Sequence, residues 1–497
     1  MLKSLWRHLS KQRQKQLWLL LVLMIISSLS EIISLGAVVP FLGALTAPEQ
    51  IFDNQLMQPI IKILQISEPK GLILPLTIIF IVAAIIAGLI RLFLLYILTR
   101  LSFAIGSDIS INIYRRTLYQ AYSVHISRNS SQVINGIITK TVSINQIIQS
   151  ALRFISSIIL IISIMGVLFA INIQAALSAF IIFGLLYYLV ILYTKTKLKI
   201  NSKIIADQST YRIKSLQEGL GGIRDVLIDG TQKFYCNIYR KADYPLRRAS
   251  GSNIFIGASP RYIIEAIGMT LIAFFAYILS QQKGGVNNAI PILGALAIGA
   301  QRLLPTLQQS YLSYSSIRGF RSSFKDVLDL LNQPLPFYAE LPQPKSMPFK
   351  SEIKLTNLSF RYQDDSPWVL KNINLTLSKG SRIGFIGLTG SGKSTLLDII
   401  MGLLAPTSGN MHIDKTKIDN QNCRQWQAHI AHVPQNIYLS DSTIEENIAF
   451  GIPKKEININ HVKKAAKKAK ISDLIEEWSE GYQTFVGERG IRLSGGQ

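Results

Sequence analysis

The longest uncharged block of the chain lies between Arg153 and Lys195 and contains 41 residues. A membrane-spanning helix needs about 20 mostly apolar residues, because each residue rises about 1.5 Å through a hydrocarbon core about 30 Å thick. The block is therefore long enough for two spans joined by a tight turn near Asn172 and Gln174. A chain with such a block is predicted to fold as an integral membrane protein.

The same criterion predicts an all-α transmembrane domain over residues 1–331, with six helices. Leu2, Leu5, Trp6 and Leu9 recur at helical spacing, which predicts that the N-terminus lies along the membrane surface. The first span could instead belong to a signal peptide, but it is about twice as long as the 7–15 residues typical of that apolar region. The six predicted spans are approximately residues 17–42, 72–98, 152–171, 174–194, 262–280 and 289–312.

The chain carries a formal charge of +23, which raises the question of a nucleic-acid partner. Residues 351–497 hold 18 basic and 15 acidic side chains, so 34 of the 52 basic and 14 of the 29 acidic residues belong to the apolar part. Basic residues near spans favour the cytoplasmic side. No nucleic-acid partner is expected, and the N-terminus and residues 351–497 are predicted to be cytoplasmic.

Two connections on the predicted cytoplasmic side, from Thr99 to Ala151 and from Thr194 to Arg261, contain few loop-forming residues and have apolar side chains at helical spacing. We therefore predict that membrane helices continue into the cytoplasm.

Four ionisable residues fall within or at the ends of the predicted spans. Glu31 lies about 21 Å beyond the cytoplasmic start of its helix, and Arg302 enters from the other side by a similar count. Arg91 and Glu265 fall near the cytoplasmic edge. Intramembrane charges are rare and mark functional sites or ion pairs. Glu31 and Arg302 are therefore candidates for lining a substrate cavity, whereas structural pairing or snorkelling is favoured for Arg91 and Glu265.

Residues 332–350 contain five prolines and predict an extended linker. Beyond it, Ile353, Leu355, Leu358, Phe360 and Tyr362 indicate a strand with one buried face. A soluble α/β domain is predicted over residues 351–497.

A phosphate-binding loop is the main signal of this domain. The predicted strand Ile383–Ile386 precedes it, and a helix follows. Its glycines let backbone N–H groups face a phosphate at a helix N-terminus. Lys393 would contact phosphate oxygens, and Ser394 would coordinate Mg²⁺. The loop residues are Gly387, Leu388, Thr389, Gly390, Ser391, Gly392, Lys393, Ser394 and Thr395.

Three further segments follow in a fixed order: a short predicted strand leading into His432-Val433-Pro434-Gln435, a helix opening at Ser442-Thr443, and Leu493-Ser494-Gly495-Gly496-Gln497. With the phosphate loop and six spans, these segments resemble the half-exporters of the ABC transporter family. The resemblance implies binding of ATP and Mg²⁺. It implies that Tyr362 stacks on adenine and that Gln435 positions Mg²⁺ and the attacking water. Ser494, Gly495, Gly496 and Gln497 would contact the nucleotide of a second chain.

The resemblance implies a homodimer with two shared sites, although a heterodimer stays open. It also implies that the domain is incomplete, because the family's Mg²⁺-binding aspartate, catalytic glutamate and switch histidine follow the signature segment. The segments Glu31–Phe41 and Pro260–Gly268 resemble bacterial lipid-linked oligosaccharide flippases. A translocase for a lipid-linked glycan or another membrane lipid is predicted. A multidrug, lipid A or polysaccharide exporter, a non-transporting ATP-binding protein and an inactive remnant are the alternatives.

Overall fold

A computed structural model describes residues 2–54, 57–64, 66–171, 173–280, 285–435, 437–487, 490 and 493. The chain divides into two compact units, Met1–Pro342 and Gln343–Gln497. The first unit is helical, and the second combines a sheet with short helices. This architecture confirms the predicted fold class.

Fifteen helices form the described part of the first unit, together with 3₁₀ turns at Pro69–Leu72 and Phe337–Glu340. They are α1 (Leu2–His8), α2 (Lys11–Gly36), α3 (Val38–Thr46), α4 (Pro48–Phe52), α5 (Gln58–Leu64), α6 (Ile73–Leu118), α7 (Tyr122–Ser127), α8 (Ser130–Ile137), α9 (Thr139–Ile171), α10 (Ile173–Gly221), α11 (Ile223–Ile228), α12 (Gln232–Ala258), α13 (Pro260–Ser280), α14 (Gly285–Gly319) and α15 (Arg321–Leu331).

Two helices are far longer than a membrane is thick. Helix α6 has 46 residues and α10 has 49. At 1.5 Å per residue they measure about 70 Å each, more than twice the hydrocarbon thickness. The polar ends of α6 and α10 therefore extend well beyond the apolar segments, as the lack of loop residues predicts.

The first predicted span is divided. Helix α2 ends at Gly36 and α3 begins at Val38. Pro40 has no N–H group to donate to the carbonyl of Gly36, which interrupts the helical hydrogen bonds at this point. The sequence contained this signal, but the prediction treated residues 17–42 as one helix.

Four helical segments in the described part of the chain are long and apolar enough to cross a membrane: Lys11–Thr46, Pro69–Leu118, Ser130–Ala170 and Phe180–Gly221. They coincide with the first four predicted spans. The fifth and sixth predicted spans fall on α13 and α14, which are helical but are not among these four. The count of six spans stays a prediction.

The largest apolar core of the helical unit joins α1, α2, α6, α9 and α15. Ile113 and Val327 are completely inaccessible to solvent, and Phe324 is 1% exposed. Beyond α15, Arg116 donates to the Gln333 carbonyl at 2.5 Å and Gln120 donates to the Pro334 carbonyl at 2.9 Å. The start of the predicted linker is therefore bound to the C-terminal end of α6.

The second unit contains a four-stranded antiparallel sheet in the order β2-β1-β3-β4. Leu355 and Leu358 of the central strand pack with Ile399 of α16 in its core. The elements are β1 (Glu352–Phe360), β2 (Leu370–Ser378), α16 (Lys393–Ile400), β3 (Ser408–Ile413), β4 (Thr416–Lys417), α17 (Cys423–Gln427), α18 (Ile444–Ile448), α19 (Ile459–Lys468) and α20 (Ser472–Glu476), with 3₁₀ turns at Lys454–Glu456 and Gly481–Gln483.

Two predicted strands of this unit are wrong. Residues 383–386 and the residues before Val433 have no strand hydrogen bonding in the described part of the chain. Ile386 is fully exposed and Val433 is 89% exposed. A strand exists only where a neighbouring strand satisfies its N–H and C=O groups, and no described strand pairs with these segments.

Asp414 joins the β3–β4 turn to the start of β1. Its carboxylate accepts hydrogen bonds from the backbone N–H groups of Lys350, Ser351 and Glu352 at 2.7–2.9 Å, and from the Ser351 hydroxyl at 2.7 Å. The Ser351 hydroxyl and these N–H groups favour the ionised carboxylate and hold the pKa of Asp414 well below its usual range. The network fixes the edge from which β1 begins.

We expect Asp414→Asn to destabilise the chain at neutral pH. Asparagine tolerates the positive φ of 52° at this position, so the variant removes the charge and one acceptor oxygen without straining the backbone. Because the folded-state pKa is depressed, the carboxylate's contribution is present above its unfolded pKa of about 3.9 and is lost as pH falls toward the folded pKa. In urea unfolding, the difference in midpoint between wild type and variant should be largest near pH 7 and should narrow below about pH 4. A constant difference across that range would contradict the assignment.

Candidate functional site

The predicted phosphate loop connects residue 387 to α16 through two glycines in the left-handed region. Gly390 has a φ of 83° and Gly392 a φ of 86°. A Cβ atom at Gly392 would lie 2.9 Å from Leu370 Cδ2 and 3.1 Å from the Val369 carbonyl oxygen. Glycine is therefore required here both by backbone conformation and by close packing against β2. The loop ends on the N-terminus of α16, where unpaired N–H groups favour an anion.

Lys393 turns back over this loop. Its ammonium group donates to the carbonyls of Gly387 at 2.7 Å and Leu388 at 2.8 Å, and lies 3.5 Å from Ser391 Oγ. The loop therefore surrounds a positive charge with its own backbone. The glycine-rich loop and the Lys393 ammonium group fit a nucleotide phosphate. On binding, Lys393 would exchange its contacts with the two carbonyls for contacts with phosphate oxygens.

Tyr362 lies just past β1 and touches the helix of the phosphate loop. Its hydroxyl is 3.0 Å from Thr395 Oγ1, and its ring meets Phe360 edge-on at 5.0 Å between centroids. Thr395 is buried, while Tyr362 is about half exposed. The Tyr362 ring is thus held in place beside the loop, and part of its surface stays accessible to solvent. The sequence did not predict the contact with Thr395.

The segment around His432 lies near Asp398 of α16. Burial raises the pKa of Asp398, and the nearby His432 acts in the opposite direction. Gln435, three residues further on, is exposed. Asp398 was not singled out from the sequence, because an acidic residue within a helix carries no positional signal until the neighbouring segment is known.

The predicted metal ligands Ser394 and Gln435 are both exposed. Within the described ranges, no group of three or more His, Cys, Asp or Glu residues is placed to hold a metal ion. Mg²⁺ commonly keeps several waters and is held through one or two protein groups plus substrate phosphates, so these two residues fit an ion that arrives with its nucleotide. The predicted contacts of Ser494, Gly495, Gly496 and Gln497 lie outside the described residues.

The two predicted cavity residues meet in an ion cluster. Arg302 Nη1 donates to Glu31 Oε1 at 2.8 Å and to Oε2 at 2.7 Å. Arg91 Nη1 donates to Glu31 Oε1 at 3.0 Å. The Glu31 side chain is only 3% exposed, whereas those of Arg302 and Arg91 are 32% and 51% exposed.

This arrangement favours the ion-pair interpretation for Glu31. A carboxylate that is buried between two guanidinium groups has no free face for a ligand, although Arg302 keeps part of its surface accessible. Arg91 forms an ion pair, as the structural interpretation predicted. Its partner is Glu31 of α2. Arg261 and Glu265 form a separate, exposed pair at 3.4 Å within α13.

A cavity of about 240 Å³ with both polar and apolar lining residues lies between α10, α13 and α14. Tyr187, Gln301 and Gln308 contribute hydrogen-bonding groups, and the Arg261–Glu265 pair contributes both charges. Gln301 directly precedes Arg302, so this cavity and the ion cluster share one turn of α14. The sequence analysis noted Glu265 but did not identify the two glutamines, because uncharged polar residues are common in such helices.

Exchanging the charges of Glu31 and Arg302 tests whether the two residues form a structural ion pair or line a substrate cavity. Glu31→Arg places three cations together and should lower thermal stability strongly, since breaking a buried pair costs about 3–5 kcal/mol. Glu31→Arg/Arg302→Glu restores the pair and should recover most of that loss. Glu265→Arg, in the exposed pair, is the matched control and should change stability little. A double variant no more stable than Glu31→Arg would contradict a structural pair.

Comparison with known proteins follows the same division of the chain. The profile of the ABC transporter transmembrane region matches residues 17–289, and the ABC transporter ATPase profile matches residues 370–497. A solved structure of a bacterial Atm1-family ABC exporter with ATP bound superimposes with a TM-score of 0.72 at 20% identity, covering 98% of this chain and 82% of that one.

Several known proteins are similar to this chain in sequence. The heterocyst differentiation ATP-binding protein of a Nostoc species is 26% identical over 74% of this chain and 60% of its own length. The ATP-dependent lipid A-core flippase of Cupriavidus metallidurans is 23% identical over 83% of this chain and 70% of its own. A putative multidrug export protein of Bacillus subtilis is 36% identical over 31% of this chain, and the match spans only 26% of that protein. Because the transmembrane profile alone covers more than half of the sequence, the chain belongs to the ABC transporter family.

Proposed function

We propose that this chain is half of an ATP-driven exporter that moves an amphipathic lipid out of the cytoplasmic leaflet of a bacterial inner membrane. The observation that carries the proposal is the phosphate loop with Lys393 at its centre, in a chain whose other unit contains membrane-length helices. Family membership supports the reaction type. The lipid A-core flippase among the relatives supports the class of substrate.

The nucleotide site is proposed to use the loop from Gly387 to Thr395 for the phosphates and Tyr362 for adenine. Lys393 would release the carbonyls of Gly387 and Leu388 and turn to phosphate oxygens. ATP supplies a transferable phosphoryl group when it binds, and Mg²⁺ would neutralise its oxygens with help from Ser394 and Gln435. The chain's own contribution is to bind, orient and shield the nucleotide.

The functional transporter is proposed to be a dimer of two copies of this chain. In the described part of this chain, the phosphate loop is open to solvent on the side that faces away from β2, and Ser394 is exposed. The signature segment Ser494–Gln497 of a second copy is proposed to close that side. Each pair would then carry two nucleotide sites, and neither chain would hydrolyse ATP efficiently alone.

The substrate is proposed to carry polar groups that can form hydrogen bonds. Tyr187, Gln301 and Gln308 contribute hydrogen-bonding groups to the cavity of about 240 Å³, and the partly exposed Arg302 follows Gln301 directly in α14. Hydroxyls of a glycan and an acidic linkage to its lipid match that combination. A multidrug exporter is the second candidate, supported by the Bacillus relative and by the apolar part of the same lining, Ile264, Leu304 and Pro305.

We expect Lys393→Ala in the full-length protein to abolish ATP-dependent movement of a lipid-linked oligosaccharide in proteoliposomes. The loop would lose the cation that its backbone holds in place, while the membrane unit would be unaffected. Lys415→Ala, an exposed lysine of the β3–β4 turn, is the matched control. Undiminished transport by Lys393→Ala would refute the proposed site, and movement of apolar drugs alone would favour the second candidate.

Two substitutions of Tyr362 separate ring stacking from the hydroxyl contact with Thr395. We expect Tyr362→Phe to retain ATP affinity, because the ring and its packing on Phe360 remain. Tyr362→Leu should weaken binding by about 1–3 kcal/mol, the range found for aromatic stacking on a base. Equilibrium titration with a fluorescent ATP analogue measures both. Equal losses in the two variants would assign the residue to loop positioning.

A further inference from the structure

An apolar cavity of about 210 Å³ lies at the corner between α1 and α2. All twelve lining residues are apolar; eleven come from α1, α2, α6 and α9, and Leu9 lies between α1 and α2. Ile105 and Met24 form part of its buried wall, at 1% and 3% exposure. For scale, an engineered apolar cavity of roughly 150 Å³ stays dry and binds benzene. This larger, open cavity is suited to hydrocarbon and not to water.

The corner is held in shape by polar contacts on its other side. Gln14 Nε2 donates to the carbonyls of Trp6 at 2.9 Å and Leu9 at 3.3 Å, which closes the end of α1. Ser10 caps the start of α2, and Arg13 pairs with Asp108 of α6 at 2.8 Å. The cavity is therefore preformed by a fixed corner.

Two tryptophans place the cavity at a membrane interface. Trp6 and Trp18 both line it and are 38% and 62% exposed. Tryptophan is enriched where the headgroups meet the hydrocarbon. Leu17 and Leu21 continue the lining along α2 toward the membrane interior. The cavity thus runs from the headgroup level into the acyl region, on the side predicted to be cytoplasmic.

The surface around the mouth is positively charged. Lys3, Arg7, Lys11 and Lys15 are exposed, and none has an ion-pair partner among the described residues. The first 30 residues contain no acidic side chain. The cytoplasmic leaflet is rich in anionic lipids, and each basic residue near it adds to their attraction.

We propose that this cavity binds one acyl chain of an anionic phospholipid from the cytoplasmic leaflet, while its phosphate group is held by the basic residues of α1 and the start of α2. The site is separate from the cavity between α10, α13 and α14. It does not depend on which substrate is moved. The bound lipid would fix α1 on the membrane surface beside the first span.

The tryptophans provide a direct probe. Two of the chain's five tryptophans line the cavity, and the other three, Trp368, Trp426 and Trp478, belong to the second unit. The full chain is placed in phosphatidylcholine nanodiscs that contain rising fractions of phosphatidylglycerol with brominated acyl chains. We expect saturable quenching of tryptophan emission at low mole fraction, which Trp6→Phe/Trp18→Phe removes. Brominated phosphatidylcholine should need about a tenfold higher fraction, given the attraction per basic residue.

Matched variants separate the cavity from its charged mouth. Ala151→Phe fills the cavity and should reduce the relative affinity at least about fivefold, whereas Ala170→Phe, exposed on the same helix, should not. Lys11→Gln/Lys15→Gln should remove most of the preference for phosphatidylglycerol. Lys197→Gln/Lys199→Gln, with the same charge change on α10, should retain it.

Equal quenching by both brominated lipids at every mole fraction would show ordinary annular lipid only and would overturn the proposal. Unchanged affinity in a folded Ala151→Phe protein would do the same. Thermal unfolding of each variant establishes that it is folded. If Ala151→Phe does not fold, the lysine pair decides, because those residues are exposed and their substitution leaves the apolar core intact.

Discussion

The buried carboxylate of Glu31 is the constraint on which the helical unit depends. An ionised group is costly inside a membrane protein unless its charge is compensated, and here two guanidinium groups from different helices provide the compensation. The contacts of Arg91 and Arg302 with Glu31 at 2.7–3.0 Å fix the relative register of α2, α6 and α14. Of these three helices, α14 lines the cavity it shares with α10 and α13, whereas α2 and α6 line the apolar corner. One interaction therefore relates the two candidate ligand sites of this unit.

The cluster also carries one positive charge more than it neutralises. Glu31 has no accessible face, so the surplus resides on the partly exposed ends of Arg91 and Arg302. In the second unit, the ammonium group of Lys393 similarly lies against backbone carbonyls that a phosphate would displace.

Much of this arrangement could be predicted from local sequence; the break at Pro40 had a local signal that was missed, whereas the other failures concern partners that are distant in sequence. Apolar runs identified the long helices, because a spanning helix satisfies its own hydrogen bonds. The phosphate loop was evident from its glycines, and β1 from its alternation. By contrast, the strand expected at Ile383–Ile386 needs a neighbour that is distant in sequence, so an apolar run alone was insufficient. The pairing of Glu31 with Arg302 across 271 positions, and of Tyr362 with Thr395, had no local signal.

The central claim is that ATP use in this chain is linked to a lipid with a polar, hydrogen-bonding headgroup. The most direct test measures ATP hydrolysis by the full-length protein in nanodiscs while a lipid-linked oligosaccharide is added, with the same lipid lacking its glycan as the control. The account predicts saturable stimulation by the glycan-bearing lipid and little by the control. A hydrolysis rate that is indifferent to the glycan, or that responds equally to both lipids, would contradict it.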